Sequence, residues 1–181
     1  MRNRLITAAL LVASLSIMGC EQLSNRTVAF EAQQPSASTL IRKAERGLNQ
    51  DVAVLRKKQI SRPSYQLKFV LNAEGTPFSG ESQIQFHFSP QGSDLSLDFH
   101  KGEILDVTLN GQIEPYEYNG YFLTFKEGRF KAGNNTLNIK FRHAYNKEGS
   151  GLYYFKDPLD QTVYTYSDFE PFSANKLFPL F

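Results

Sequence analysis

The feature that most constrains this chain is a change of period at Pro63. From Tyr65 onward apolar residues recur at every second position: Tyr65, Leu67, Phe69 and Leu71, then Ile84, Phe86 and Phe88 against Gln83, Gln85 and His87. Leu95, Leu97 and Phe99 alternate with Ser96 and Asp98, and Leu105, Val107 and Leu109 with Asp106 and Thr108. Tyr121, Leu123 and Phe125, then Leu137, Ile139 and Phe141, complete the series. Successive side chains of a strand point to opposite faces, so each run offers one apolar and one polar face. Asn110-Gly111 and Asn119-Gly120 read as two-residue hairpin turns, and Gly133-Asn134 as the turn before the last run. Short strands at regular spacing predict an all-β fold, an antiparallel sandwich or saddle, and not a parallel α/β sheet.

The N-terminal third follows other rules. Arg2 and Arg4 precede a short apolar run, Leu5 to Leu15, and Ile17-Met18-Gly19-Cys20 follows. The run is too short to span a bilayer with ease and reads as a signal peptide over residues 1–19. Cys20, the only cysteine, stands after small Gly19 and resembles a bacterial lipoprotein box, which makes Cys20 the lipidated new N-terminus. An acyl anchor would hold the protein on a membrane without spanning it. Glu21 in place of Asp points, by analogy with bacterial sorting, to the outer membrane on its periplasmic side. Residues 20–38 are polar and interrupted by Pro35, the composition of a tether. Over residues 39–60 the apolar spacing of Leu40, Ala44, Leu48, Val52 and Leu55 predicts one helix whose basic face is solvated. Removing Arg2 and Arg4 with the leader leaves 18 basic residues against 18 acidic ones, so nucleic acid is not an expected partner.

Catalytic motifs are sparse. His87, His100 and His143 do not stand at ligand spacing, and H-E-x-x-H, the helix motif that presents two imidazoles to zinc, does not occur. Neither does a G-x-S-x-G elbow or a glycine-rich phosphate loop. No metal or other cofactor is expected within these residues, and the chain as written is expected to be inactive as a peptidase.

The richest stretch is Gly151 to Phe181. Aromatics crowd its first half, and then Asp168 and Glu170 flank Phe169 before Pro171. In an extended segment these two carboxylates face one way, an arrangement suited to a pocket that receives a cation. Capping of the following Ser173–Phe178 turn is the alternative reading, and residue chemistry alone leaves both open.

Gly151-Leu152-Tyr153, Asp157-Pro158, Tyr164-x-Tyr166-Ser167-Asp168-Phe169-Glu170-Pro171 and Ala174-Asn175-Lys176-Leu177-Phe178-Pro179-Leu180-Phe181 resemble the end of the N-terminal domain of the aminopeptidase N family of zinc aminopeptidases. In layout the resemblance covers residues 61–181. It implies a recognition domain whose Glu170 pairs with the free α-amine of a peptide N-terminus, with Asp168 lining the pocket for the first side chain. The family has Gln at the position of Asp168, so a preference for cationic side chains is expected here. The resemblance also implies partners: peptide N-termini and a catalytic domain, absent from this chain, that holds zinc through two His and a Glu. Because the family motif runs on past Phe181 into Asp-x-Pro, the chain reads as cut short, with Leu177, Phe178, Leu180 and Phe181 expected to be exposed. The alternative is a free-standing, non-catalytic lipoprotein β-sandwich that binds a partner.

Overall fold

The computed structural model describes residues 50–181, so the leader, Cys20, the tether and residues 39–49 of the expected helix lie outside the described residues. The described residues begin with helix α1 (Gln50–Gln59), which runs directly into strand β1 (Ile60–Val70). Nine further strands follow: β2 (Phe78–Phe88), β3 (Leu95–Asp98), β4 (Glu103–Leu109), β5 (Gln112–Ile113), β6 (Glu117–Tyr118), β7 (Phe122–Phe125), β8 (Gly133–His143), β9 (Gly151–Lys156) and β10 (Val163–Asp168). A 3-10 turn, Ser173–Lys176, leads to the C-terminal segment.

Every strand pair is antiparallel, as the alternation predicts. One sheet has the order β1-β2-β8-β4-β5, a second has β3-β7-β6, and β10-β9 form a separate two-stranded hairpin. Ile84 and Phe86 of β2, Val107 and Leu109 of β4 and Leu137, Ile139 and Phe141 of β8 meet Leu95, Leu97, Leu123 and Phe125 of the second sheet in one core. Burying each such side chain contributes about 1.5–3 kcal/mol. Phe141 packs edge-on against Phe69 and Phe99. Its ring occupies space left by Gly80 directly across the ladder, where a Cβ would stand 2.4 Å from the ring.

Departures from strict alternation coincide with irregular ladders. The register slips between Ile104 and Asp106, so Ile104 packs on the core while Leu105 turns outward. A bulge of this kind inserts one residue and reverses the face of those before it. A second slip lies between Ser61 and Ser64, around Arg62 and Pro63, which places the proline at a bulge on an edge strand where no ladder hydrogen bond is lost. Asn110 and Gly111 both take positive φ and close a two-residue hairpin from Leu109 to Gln112. Asn119-Gly120 does not: Tyr118 pairs with Leu123 across a longer loop, and Asn119 Oδ1 accepts from the amides of Tyr121 and Phe122. The local Asx bond replaces the expected tight turn.

Helix α1 docks by polar contacts as much as apolar ones. Its buried residues are Val52, Arg56 and Gln59, whereas Val54 is exposed. Arg56, expected on a solvated face, has a side chain only 8% exposed and donates to both carboxylate oxygens of Asp98, at 2.9 and 3.3 Å, and to Ser96 Oγ at 3.2 Å. Gln59 Nε2 donates to the carbonyls of Ser93 and Asp94.

The C-terminal residues corrected a second expectation. Leu177 and Pro179 are buried, and Phe178, Leu180 and Phe181 are half-buried, so they form no exposed apolar patch. Leu180 makes a two-bond antiparallel bridge to Asp98, at 2.7 and 3.0 Å. Ser82 Oγ donates to the Pro179 carbonyl at 3.3 Å, and the Phe181 amide donates to Tyr65 Oη at 3.0 Å. Burial pushes the Tyr65 phenol up from its ordinary range, so it stays protonated at neutral pH.

Replacing Arg56 by Leu should lower unfolding free energy by on the order of 3 kcal/mol, because it strands a largely buried carboxylate. In urea unfolding, the double variant Arg56→Leu/Asp98→Leu should lose less than the sum of the two single changes.

Candidate functional site

The candidate residues gather at the base of the β9–β10 hairpin. Six cross-strand pairs hold it, from Val163 opposite Lys156 to Asp168 opposite Gly151. Tyr153 and Tyr166 sit side by side with ring centroids 4.7 Å apart, and Phe155 stacks beside Tyr164 at 6.4 Å. Most of these rings remain open to solvent, and Leu159 at the tip is 94% exposed. The turn at Asp157-Pro158 is built from local bonds: Asp157 Oδ1 accepts from the Leu159 amide, and Asp160 Oδ1 from the Thr162 amide. That second bond holds the Asp160 carboxyl below its ordinary range.

The hairpin root is fastened to the sandwich. Tyr145 Oη exchanges hydrogen bonds with the Asn72 backbone, and Tyr154 Oη donates to the Ala73 carbonyl. Gly151 packs on Lys176, where an added Cβ would stand 2.9 Å from Lys176 Cβ and 3.2 Å from its carbonyl oxygen, and its φ of 75° is one that side chains disfavour. Lys176 Nζ donates to Ser150 Oγ at 2.7 Å. On the other side of the 3-10 turn, the His100 amide donates to the Asn175 carbonyl at 2.8 Å. The Gly-Leu-Tyr glycine and the Asn-Lys pair are therefore two sides of one contact, joined here although they lie far apart in sequence.

Asp168 is the last residue of β10, and the chain turns immediately after it. Glu170 accordingly lies in a turn and not in extended backbone, and the expected two-residue alternation ends at Asp168. The two are coupled through Asp168 Oδ1, which accepts from the Glu170 amide at 3.0 Å. Both residues are exposed, and Glu170 precedes Pro171 through a cis peptide bond. Neither caps the 3-10 turn: its N-cap is Phe172, with no side-chain bond, and the Ser173 amide donates to the Phe169 carbonyl instead. The capping alternative is thus set aside, leaving the Glu170 carboxylate without a protein partner among the described residues.

Both ring nitrogens of His143 lie against backbone carbonyls, Nδ1 at 2.6 Å from Ala144 and Nε2 at 2.7 Å from His100. His87 lies near Asn134, with Nδ1 at 3.4 Å from Oδ1. Among the described residues no group of three or more His, Cys, Asp or Glu is placed to hold a metal ion. The described residues thus offer no ligand set for zinc, which the resemblance assigns to a separate catalytic domain. Burial first, and then Lys101, Lys176 and His143, lower the His100 pKa below its ordinary value.

A family model described as the peptidase M1 N-terminal domain matches residues 61–181. Aminopeptidase N of Streptomyces lividans is 28% identical over 126 residues, which cover 65% of this chain and 14% of that protein. Among solved structures, yeast LTA4 hydrolase in complex with bestatin aligns with a TM-score of 0.59 and 20% identity, over 75% of this chain and 25% of that one. Native LTA4 hydrolase from Saccharomyces cerevisiae aligns at 0.58 with 23% identity, over 69% and 21%. The likeness to these structures is one of fold, and the chain spans a quarter or less of the length of each of these proteins.

Two outcomes follow. Gly151→Ala should lower stability by about 1–3 kcal/mol in thermal unfolding, through both the strained φ and the collision with Lys176. Because the folded state resists charging His100, the unfolded chain binds the proton more readily as pH falls below 6.5. Stability should therefore be independent of His100 above that pH and decline below it until the lowered folded pKa is passed. His100→Gln should flatten that part of a pH series of melting temperatures.

Proposed function

This chain belongs to the peptidase M1 N-terminal domain family, and from that premise we propose that it is the substrate-recognition domain of a zinc aminopeptidase. In this reading the exposed Glu170 carboxylate, held in a turn by Asp168, receives the α-ammonium of a peptide N-terminus. A carboxylate that accepts a charge-assisted hydrogen bond from an ammonium contributes about 1.5–3 kcal/mol, and an internal peptide amide offers no such charge. The contact therefore selects chain ends. The observation that carries the reading is an exposed acidic pair, joined by the Glu170 amide to Asp168 Oδ1, beside a fastened root in which Lys176 binds Ser150, the His100 amide binds Asn175 and Gly151 packs on Lys176.

The zinc, its two His and Glu ligands and the metal-activated water would belong to a separate catalytic domain, against which the aromatic hairpin is the natural docking element. Asp168, standing where the family has Gln, adds negative charge beside the first side chain and favours Lys or Arg there. Lipidation at Cys20 would place the protein in the cell envelope, on the periplasmic side of the outer membrane.

A second reading, a free-standing lipoprotein binding module, is favoured by one observation. The C-terminal segment packs into its own sandwich through Leu177 and Pro179, so this core is closed within the described residues.

Reading the coding sequence beyond Phe181 separates the two. A frame continuing into Asp-x-Pro, Gly-x-Met-Glu-Asn and H-E-x-x-H supports the enzyme reading, and a stop codon there supports the module. On the native gene product, Glu170→Gln should reduce kcat/KM for aminoacyl substrates by about 10–100-fold. Asp168→Gln should shift preference from arginyl toward leucyl substrates, and equal preference in both proteins would remove the specificity assignment.

A further inference from the structure

The outer, solvent-facing side of the five-stranded sheet carries a second polar feature, remote in sequence from the hairpin. β2 and β8 present Gln83, Gln85 and His87 opposite Asn138, Thr136 and Asn134. Since Ile84 and Phe86 face the core, these residues form polar rungs across the sheet. The rungs differ in how they are satisfied. Gln83 Nε2 donates to Asn138 Oδ1 at 2.9 Å, and Asn138 Nδ2 contacts Thr108 Oγ1 at 3.4 Å, so that rung closes on itself.

The next rungs open into a concavity of about 380 Å³ whose floor includes Phe86 and the internally bonded Asn135, and whose remaining lining is Arg62, Ser64, Gln85, His87, Asn134 and Thr136, with no acidic residue. Among the described residues, the side chains of Arg62, Ser64, Gln85 and Thr136 have no hydrogen-bond or ion-pair partner. His87 Nδ1 meets Asn134 Oδ1 at 3.4 Å, which occupies the amide oxygen and leaves the Asn134 nitrogen, a donor, available. Arg62 itself stands at the β1 bulge with φ of 54°, immediately before Pro63. A residue before proline ordinarily stays extended, so this left-handed backbone carries strain, and it takes Arg62 out of the ladder at the rim of the concavity.

The chemistry on offer is one guanidinium, an imidazole, two amide side chains besides the already bonded Asn135, and two hydroxyls, with no carboxylate to oppose an anion. We propose that this concavity is an oxyanion site that takes a phosphoryl group, with Arg62 as its principal ligand and His87, Gln85 and Asn134 completing the set. Arg62 offers the planar fork of N–H donors that matches phosphate oxygens, and the amides and hydroxyls supply neutral bonds to the remainder. The group could arrive as free phosphate or as the headgroup of a phospholipid, and the concavity serves both through the same atoms.

The test is an amide and side-chain NMR titration of the full chain with inorganic phosphate, and separately with the soluble diester glycerophosphoglycerol. Sodium chloride at matched ionic strength serves as control. Saturable shifts at Arg62, His87 and Asn134, at least tenfold weaker in Arg62→Gln with an unchanged melting temperature, support the site. Tighter binding of inorganic phosphate assigns the free anion, and tighter binding of the diester assigns a lipid headgroup. His87→Gln provides a second variant away from the strained bulge and should weaken binding several-fold. Shifts that follow chloride equally, or that persist unchanged in both variants, overturn the proposal.

Discussion

Asp98 is the residue on which separate parts of this domain converge. Its carboxylate receives the Arg56 guanidinium and so fixes helix α1, while its backbone makes both hydrogen bonds of the bridge to Leu180. The next two residues extend the role: the Phe99 amide donates to the Tyr121 carbonyl and the His100 amide to the Asn175 carbonyl. One short strand end therefore gathers the N-terminal helix, the β6–β7 loop and the C-terminal segment around the core. The ion pair is largely shielded, with the two side chains 8% and 13% exposed. A shielded pair loses little to screening and is costly to break on one side only, which ties the placement of these elements to one another.

Much of the architecture was legible in the period of the apolar residues. Ile84, Phe86, Leu95, Leu97, Leu123, Leu137, Ile139 and Phe141 all face the core as two-residue alternation requires. Alternation failed where the ladder itself slips, at Leu105, and at the sheet edge, where Leu67 is exposed on β1, the outermost strand among the described residues. Helix docking was not legible, because the residues that hold α1 are Arg56 and Gln59, whose partners lie some 34 to 42 positions away. Periodicity reports burial of apolar surface and is silent on paired polar groups. The C-terminal residues were misjudged for a related reason. A run of apolar side chains reads as a surface in want of a cover, whereas here its cover is the sandwich that precedes it.

The candidate site was legible in part. The acidic pair could be picked out from residue type and from resemblance, and the structure brings both residues to one turn. Their relation differs from that of an extended segment, since Asp168 binds the Glu170 amide. The residues that steady the turn, Ser150, Asn175 and Lys176, are ordinary polar residues whose significance appears only when chain segments meet. Gly151 was the available signal: a glycine that opens a strand and cannot be replaced without collision indicates that something packs on it.

The β9–β10 hairpin has a mechanical consequence. An isolated two-stranded ribbon is marginally stable in water, and this one is anchored along its lower half, at the Gly151–Asp168 pair and at Tyr154, whose Oη donates to the Ala73 carbonyl. Beyond Tyr154 only the Phe155–Tyr164 and Lys156–Val163 pairs, about 7 Å of ribbon, lead to the exposed tip. Its unsupported part is therefore short, and the root beside the acidic turn is held at two levels. A body that grips Phe155 and Tyr164 would therefore pull on the sandwich through Tyr154 before it altered how Asp168 and Glu170 are presented.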